Sequence, residues 1–413
     1  MAKVTDEGAM SKTIALVVTL DTKGEEASYV KELIAQRGHK VIVIDTGVLG
    51  QALFPPDITR DQVAEAAGTT MKEVIALGDE AKAIAVMAEG AAITAQRLYS
   101  SGKLDGIVAL GGSMGTSVAM VVMKALPLLM PKLLVSTAAF TRLIPQDVVS
   151  KDLTIMPTVA DIWGLNRITK RVLEHAAGAI SGMVETHREE EVSGKPLIGM
   201  TSLGASDLKY ALWAKPLLEQ MGYEVAMFHT IGIGGRSYEE FVRQGAFAGA
   251  LDLSMFELAN YLCGGHGAAE RLDAIGERAM PLVVAPGSLN YFGWWQPLET
   301  LPAQYRDRKV HMHNPIAAQI KASADEMAAG GEFMAKKLNK ALGPAVVLIP
   351  TRGFSQSDMP GAIFYDPEAR QAFSEALKRN IEPKVEVIEL DVHINEPEFA
   401  REAVAILDRM LRK

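Results

Sequence analysis

Cysteine occurs once in 413 residues, which excludes an internal disulfide framework and suits a reducing compartment. Basic charge is also in deficit: 42 lysines and arginines face 50 aspartates and glutamates, a formal net charge of −8. That balance argues against a general nucleic-acid or anionic-membrane surface, while leaving room for a local basic pocket. Long apolar runs are missing. The longest, 118–130, is broken by Lys124 and Pro127 and is too short for a membrane span. Residues 1–11 are polar and lack the apolar centre of a secretory signal, so the expected location is cytoplasmic. Three signatures of known chemistry are absent: a Walker A lysine, a Gly-x-Ser-x-Gly elbow and a His-Glu-x-x-His helix. No short-period repeat or low-complexity tract occurs.

What the chain does hold is an ordinary globular composition, 48% hydrophobic and 22% charged, long enough for two or three domains. Its N-terminal half is organised around residues 104–116. Ile107 to Leu110 are continuously apolar, as in a parallel strand covered on both faces. Gly111, Gly112 and Gly115 then turn the backbone into a helix expected from Ser117 to Ala125. Free amides and the helix dipole there favour a phosphate or carboxylate, although glycines alone fit a plain tight turn equally well.

Around this stretch, strands are expected at 13–20, 40–44, 132–136 and 153–156, with helices at 25–37, 70–77, 79–101 and 166–184. Residues 48–68 read as a long loop. A charged interval, 188–195, reads as a linker between an N-terminal subdomain, 1–187, and a C-terminal one, 196–413. Beyond it the pattern restarts. Strands are expected at 196–201, 224–229, 248–253, 282–285, 345–349 and 385–390, and helices at 207–221, from Tyr238, and at 316–341, 367–379 and 396–412. This alternation predicts the α/β class, with two Rossmann-like subdomains whose sheets are mostly parallel.

Ligands in such sheets bind beyond the C-terminal ends of the strands. In the first half those ends carry Asp21-Thr22-Lys23-Gly24, Asp45-Thr46-Gly47, Gly111-Gly112-Ser113-Met114-Gly115-Thr116 and Ser136-Thr137. The set suits a nucleotide, with loop amides and Thr116 on phosphate, Lys23 as counter-charge and Asp45 on the ribose. Taken singly, Asp21 and Thr22 fit a helix cap followed by Glu25 and Glu26 equally well. In the second half Arg236 opens a helix after Gly232-Ile233-Gly234-Gly235 and could clamp an anion. His266, His313 and His393 fall at loops or strand ends as candidate acids and bases. His311 and His313 share one face of an extended segment, a pairing that a metal would complete only with a third ligand. Cys263 is either a nucleophile or, more commonly for such a residue, a buried thiol.

Taken in order, Thr19-Leu20-Asp21-Thr22-Lys23-Gly24-Glu25, Gly111 to Thr116, His229 with Gly232-x-Gly-Gly-Arg236, Pro286-Gly287-Ser288-Leu289, His313-Asn314-Pro315 and Asp391-x-His393-Ile394-Asn395 resemble the Tm-1-like ATP-binding domain family, also called UPF0261. The likeness runs from about Thr13 to the C-terminus. It implies two Rossmann-like subdomains, ATP as cofactor with Mg2+ as a candidate companion, a nucleotide contacting the 19–24 turn and the 111–116 loop, and a homodimer or higher homo-oligomer. Met114 stands where the family loop usually has glycine, which narrows the space for phosphate. Two other classes stay open. One is an enzyme acting on a small carboxylate or phosphorylated metabolite through Arg236, His266, His313 and His393. The other is a regulatory or scaffold protein that responds to nucleotide. None of the three readings involves nucleic acid or a membrane.

Overall fold

A computed structural model describes residues 11–149, 151–187, 194–263 and 267–412. The chain divides into two compact units, 1–191 and 192–413. Most of the expected linker, residues 188–193, lies outside the described residues.

In the N-terminal unit five parallel strands, β1 (Thr13–Val18), β2 (Lys40–Asp45), β3 (Gly106–Gly111), β4 (Lys132–Ser136) and β5 (Thr154–Pro157), stand in the order β2-β1-β3-β4-β5. All six residues of β3 are buried, and alternate side chains serve opposite faces. Ile107 and Ala109 pack with the layer formed by α2 (Arg60–Ala66), α3 (Met71–Ala76), α4 (Glu80–Ser100) and α5 (Ser113–Lys124). Val108 and Leu110 pack with α1 (Gly24–Gln36) and α7 (Arg167–Thr186) on the other face. A short α6 (Gln146–Val149) follows β4. Each fully buried valine or isoleucine in these layers contributes about 1.5–3 kcal/mol, which explains the unbroken apolar run in β3.

The chain moves outward from β1 to β2, then returns past β1 to build β3, so the switch point falls between β1 and β3. Two local differences from the sequence reading bear on this region. Residues 48–68 contain α2, started by Thr59 and Gln62 in a reciprocal capping box. Helix α5 starts four residues earlier than expected, because the Thr116 amide already bonds to the Gly112 carbonyl at 2.9 Å. Ser113, Gly115 and Thr116 therefore belong to its first turn.

Lys132 opens β4 wholly buried, its ammonium donating to the carbonyls of Pro127 (2.6 Å) and Met130 (3.0 Å). Burial pulls its pKa down from 10.5 to about 8. Between those values the unfolded chain binds the extra proton, so stability rises with pH across that window, by about 3 kcal/mol in full. Trp163 is the one tryptophan in residues 1–191 and reports on this unit. Its urea midpoint is expected to rise from pH 8 to 10 more steeply in the wild type than in Lys132→Met. Parallel pH curves for the two proteins would refute this account.

The C-terminal unit repeats the plan with one more strand. Its six parallel strands, β6 (Leu197–Ser202), β7 (Glu224–His229), β8 (Gly249–Ser254), β9 (Leu282–Gly287), β13 (Ala345–Pro350) and β14 (Glu386–Leu390), stand in the order β14-β13-β9-β8-β6-β7. Helices α8 (Ala211–Gln220), α9 (Ile233–Gln244), α10 (Phe256–Leu262), α11 (Ala324–Leu338), α12 (Pro367–Asn380) and α13 (Pro397–Leu411) complete it. Between β9 and α11 the chain adds an antiparallel sheet of β10 (Tyr291–Trp294), β11 (Val310–Asn314) and β12 (Ala317–Lys321), with β12 central. The expected helix 316–341 is thus a strand followed by a helix. Partners on both sides hold 317–321 extended, and a capping box between Ser323 and Glu326 starts α11. Helix α9 likewise begins at Ile233, five residues before the expected start, which places Arg236 inside it. Among the described residues no helix is long and apolar enough to cross a membrane.

Candidate functional site

The first amides of a helix have no partner within it and must find one elsewhere. In the N-terminal unit α2, α3, α4 and α7 supply it themselves, through the side chains of Thr59, Thr70, Asp79 and Asn166. Helices α1 and α5 have no side-chain cap. These two helices follow β1 and β3, the strands that flank the switch point. Between them lies a cavity of about 230 Å³. Thr19, Asp21, Thr22, Lys23 and Thr46 line one side, Gly112, Ser113, Met114 and Gly115 another, and Glu80 and Ile84 of α4 close it.

The glycines at this site have different tasks. A Cβ on Gly111 would lie 2.6 Å from the Gly115 Cα, so this residue lets the helix start press against the strand end. A Cβ on Gly24 would fall 2.4 Å from the Leu53 Cβ. Gly112 is the opposite case: its added Cβ would meet nothing nearer than the Thr137 hydroxyl at 3.8 Å, so the backbone there faces open space. That space is what a phosphate needs to approach the first amides of α5.

Of the side chains expected to touch a nucleotide, several are engaged by the fold instead. Thr116 is buried and shares a 2.6 Å hydrogen bond with Ser136, so it braces α5 against β4 rather than meeting phosphate. Asp45 is buried and accepts from the amides of Leu20 (3.0 Å) and Gly47 (2.9 Å), holding two loops in place rather than a ribose. Lys23 donates to the Ile162 carbonyl and lies 5.8 Å over the Trp163 ring, away from the role of direct counter-charge. Asp21 Oδ2 accepts from the Leu49 (2.8 Å) and Gly50 (3.1 Å) amides, while its Oδ1 is buried with no hydrogen-bond partner. The Thr22 hydroxyl shares a 2.8 Å hydrogen bond with Thr19.

In the second unit the helix that follows the edge strand β7 finds its partner in a side chain from elsewhere. The Glu257 carboxylate accepts from the Gly232 (2.7 Å) and Gly235 (3.1 Å) amides, so the anion position at the start of α9 holds a side chain of the same unit. Arg236 pairs with Glu270 and donates to the carbonyls of Gly232 and Gly267, which ties down the loop where the sequence suggests a substrate clamp. At the β6/β8 switch point the Thr201 hydroxyl donates to Asp252 (2.8 Å) and accepts from the Ser254 amide (3.1 Å). Thr230 and Ser254 share a 2.6 Å bond beside them.

His393 is buried between backbone partners. Asn395 N–H donates to its Nδ1 at 3.0 Å, and its Nε2 lies 3.0 Å from the Ser355 carbonyl. This arrangement suits a neutral ring carrying its proton on Nε2, and burial lowers its pKa further. It is a residue of the fold rather than an acid or base. His313 and His311 are exposed on β11, and His266 lies outside the described residues. Among the described residues no three His, Cys, Asp or Glu side chains converge to hold a metal. Cys263 is buried, and desolvation pushes its thiol well above the usual range, which leaves it inert as a nucleophile.

Two groupings emerge only from the fold, although the sequence marks the Pro286–Asn290 turn that supplies one member of the second. Arg271, wholly buried, faces the carboxylates of Glu239 (3.1 Å), Asp252 (2.5 Å) and Glu257 (3.4 Å). Arg271 looks like an ordinary surface residue beside Glu270, and nothing in its spacing announces burial. Asp207 accepts from the hydroxyls of Ser288 (2.5 Å) and Tyr291 (2.7 Å). Ser288 has a φ of 56°, a left-handed conformation that the Pro286–Asn290 turn imposes on a residue with a side chain.

The comparisons bear on the whole chain. A model described as the N-terminal domain of an uncharacterised protein family (UPF0261) matches residues 12–189, and that family's C-terminal domain matches 195–411. A UPF0261 protein of Brucella melitensis is 38% identical over 403 residues, covering 97% of this chain and 96% of the relative. One of Clostridium tetani is 37% identical over 407 residues, 98% and 100% of the respective chains. The ToMV resistance protein Tm-1(GCR237) of Solanum lycopersicum is 35% identical over 338 residues, 80% of this chain but 44% of that protein. Among solved structures, the glycosyltransferase SnogD from Streptomyces nogalater aligns over 96% of this chain and all of its own at 10% identity. Its TM-score of 0.23 is too low to bear on fold or function. With both halves matched in order and near-full-length relatives at this identity, the chain belongs to the UPF0261 family.

Proposed function

We propose that the N-terminal unit binds a nucleoside polyphosphate, ATP first among the candidates, with its phosphates on the amides that open α5. The observation that carries this reading is the coincidence of two uncapped helix starts with the cavity at the β1/β3 switch point. Helix dipoles and free amides favour negative charge there, and the open backbone at Gly112 lets it come close. Cytoplasmic residence and a homodimeric assembly complete the proposed setting.

The residues at the cavity also favour a divalent cation. Asp21 and Glu80 line it with carboxylates, and Lys23 is turned toward Ile162. A bare polyphosphate would meet two negative side chains. Mg2+ characteristically binds through one or two carboxylates plus substrate phosphates, and Asp21, with one oxygen lacking a partner, is the residue suited to it. Calorimetric titration of the full chain with ATP is expected to show binding that weakens about tenfold or more when EDTA removes Mg2+. Binding indifferent to EDTA would refute the cation, and no heat with any nucleoside triphosphate would refute the site.

A further inference from the structure

The β1–α1 turn also lines a second cavity, of about 530 Å³. It shares Asp21, Thr22 and Lys23 with the first, so the same turn forms a wall of both. Its volume falls within the range of pockets that take small organic ligands. Leu53 and Trp163 supply its apolar surface.

Both residues are fixed by the same turn. Leu53 rests on Gly24, where even a methyl group would collide with it, and its amide bonds to the Leu20 carbonyl at 3.2 Å. Trp163 is pinned on either side: the Ile162 carbonyl accepts from Lys23, and the Gly164 amide donates to Glu26 at 2.8 Å. The indole itself remains 83% exposed. Just before it, the Ala160 amide bonds back to the Thr158 carbonyl at 2.6 Å around Val159, whose φ is 63°. This is the geometry of a γ-turn of the uncommon, strained hand, here centred on a β-branched residue. A loop held against such a preference, with backbone anchors on both sides of an uncovered aromatic ring, is a surface prepared for a flat partner.

We propose that Trp163 and Leu53 form the platform for the heteroaromatic base of the nucleotide, its phosphates lying across the Asp21–Lys23 turn at α5. This inference rests on the phosphate site proposed above and extends it to the other end of the ligand. The base stacks on the indole beside the Lys23 ammonium, which lies 5.8 Å from the ring centroid and stays bonded to the Ile162 carbonyl.

The test compares ATP with inorganic tripolyphosphate, each with Mg2+, on the wild type, Trp163→Ala and Trp163→Phe by calorimetry. Losing a base-stacking ring is expected to weaken ATP about tenfold in Trp163→Ala. Trp163→Phe is expected to recover much of that loss, and tripolyphosphate is expected to bind all three proteins within about twofold of one another. Nucleotide should also quench the Trp163 fluorescence, read as the difference between the wild type and Trp163→Phe. ATP bound equally by wild type and Trp163→Ala would overturn the platform and leave the phosphate site standing. Neither ligand binding the wild type would overturn both. Equal weakening of ATP and tripolyphosphate in Trp163→Ala would overturn the platform by showing that the indole supports the turn rather than a base.

Discussion

Gly112→Val is expected to weaken ATP about 10- to 100-fold while melting within a few degrees of the wild type. The reasoning separates backbone shape from access. Gly112 has φ −73°, a conformation open to any residue, and a side chain there enters empty space. The valine would stand over the first amides of α5 and keep a phosphate from reaching them. Each charge-assisted hydrogen bond lost costs about 1.5–3 kcal/mol, so the loss of one accounts for the expected factor. Gly111→Val gives the contrast: its Cβ would meet the Gly115 Cα at 2.6 Å, and that protein is expected to lose stability as well as ligand. Calorimetry and thermal melting on the same samples decide the matter. Unchanged ATP affinity in Gly112→Val would remove the α5 amides from the site.

The largest stability effect is expected at Arg271. This wholly buried cation faces Glu239, Asp252 and Glu257, all buried, and the oxygens Asp252 Oδ2 and Glu257 Oε2 have no hydrogen-bond partner. With one positive group among three carboxylates, desolvation already holds Glu239 and Glu257 above the usual carboxyl range. Arg271→Met removes the wholly buried cation that faces all three carboxylates, and breaking a buried pair in this way costs about 3–5 kcal/mol. For a unit of this size that lowers the melting temperature of the C-terminal half by roughly 10 °C.

Acid should relieve the defect. The carboxyls, raised further in the variant, take up protons that the unfolded chain does not, so stability returns as pH falls toward the carboxyl range. Replacing the partners together, with Glu239→Gln and Asp252→Asn added to Arg271→Met, should restore much of the loss, because neutral groups no longer need the cation. Calorimetric scans from pH 5 to 8 read all three effects. A single variant that melts like the wild type at pH 8 would show the charge cluster to be dispensable.

Much of the architecture is legible in the chain because local and tertiary preferences agree. The apolar runs of β3 and β4 lie within a residue of their expected bounds. Their side chains have helices on both faces, and no other element suits them. Legibility fails where tertiary pairing decides. Ala317–Lys321 carries no strong preference of its own and becomes a strand because β10 and β11 flank it. At the candidate site, the glycine turns locate the switch-point cavity, but the direction of each side chain depends on distant partners. Thr116 turns to Ser136 and Lys23 to Ile162, 20 and 139 residues away, and no local pattern encodes either. The sequence does not mark Trp163 for a similar reason: its setting comes from Lys23 and Glu26, which hold its neighbours, and not from its own surroundings in the chain.

The Glu257 carboxylate on the Gly232 and Gly235 amides has one more implication. A carboxylate tethered by its own chain competes at the high effective concentration of an intramolecular group, which can exceed that of any dissolved metabolite by orders of magnitude. The start of α9 therefore carries a resident anion, and a dissolved phosphate would have to compete with it for the Gly232 and Gly235 amides.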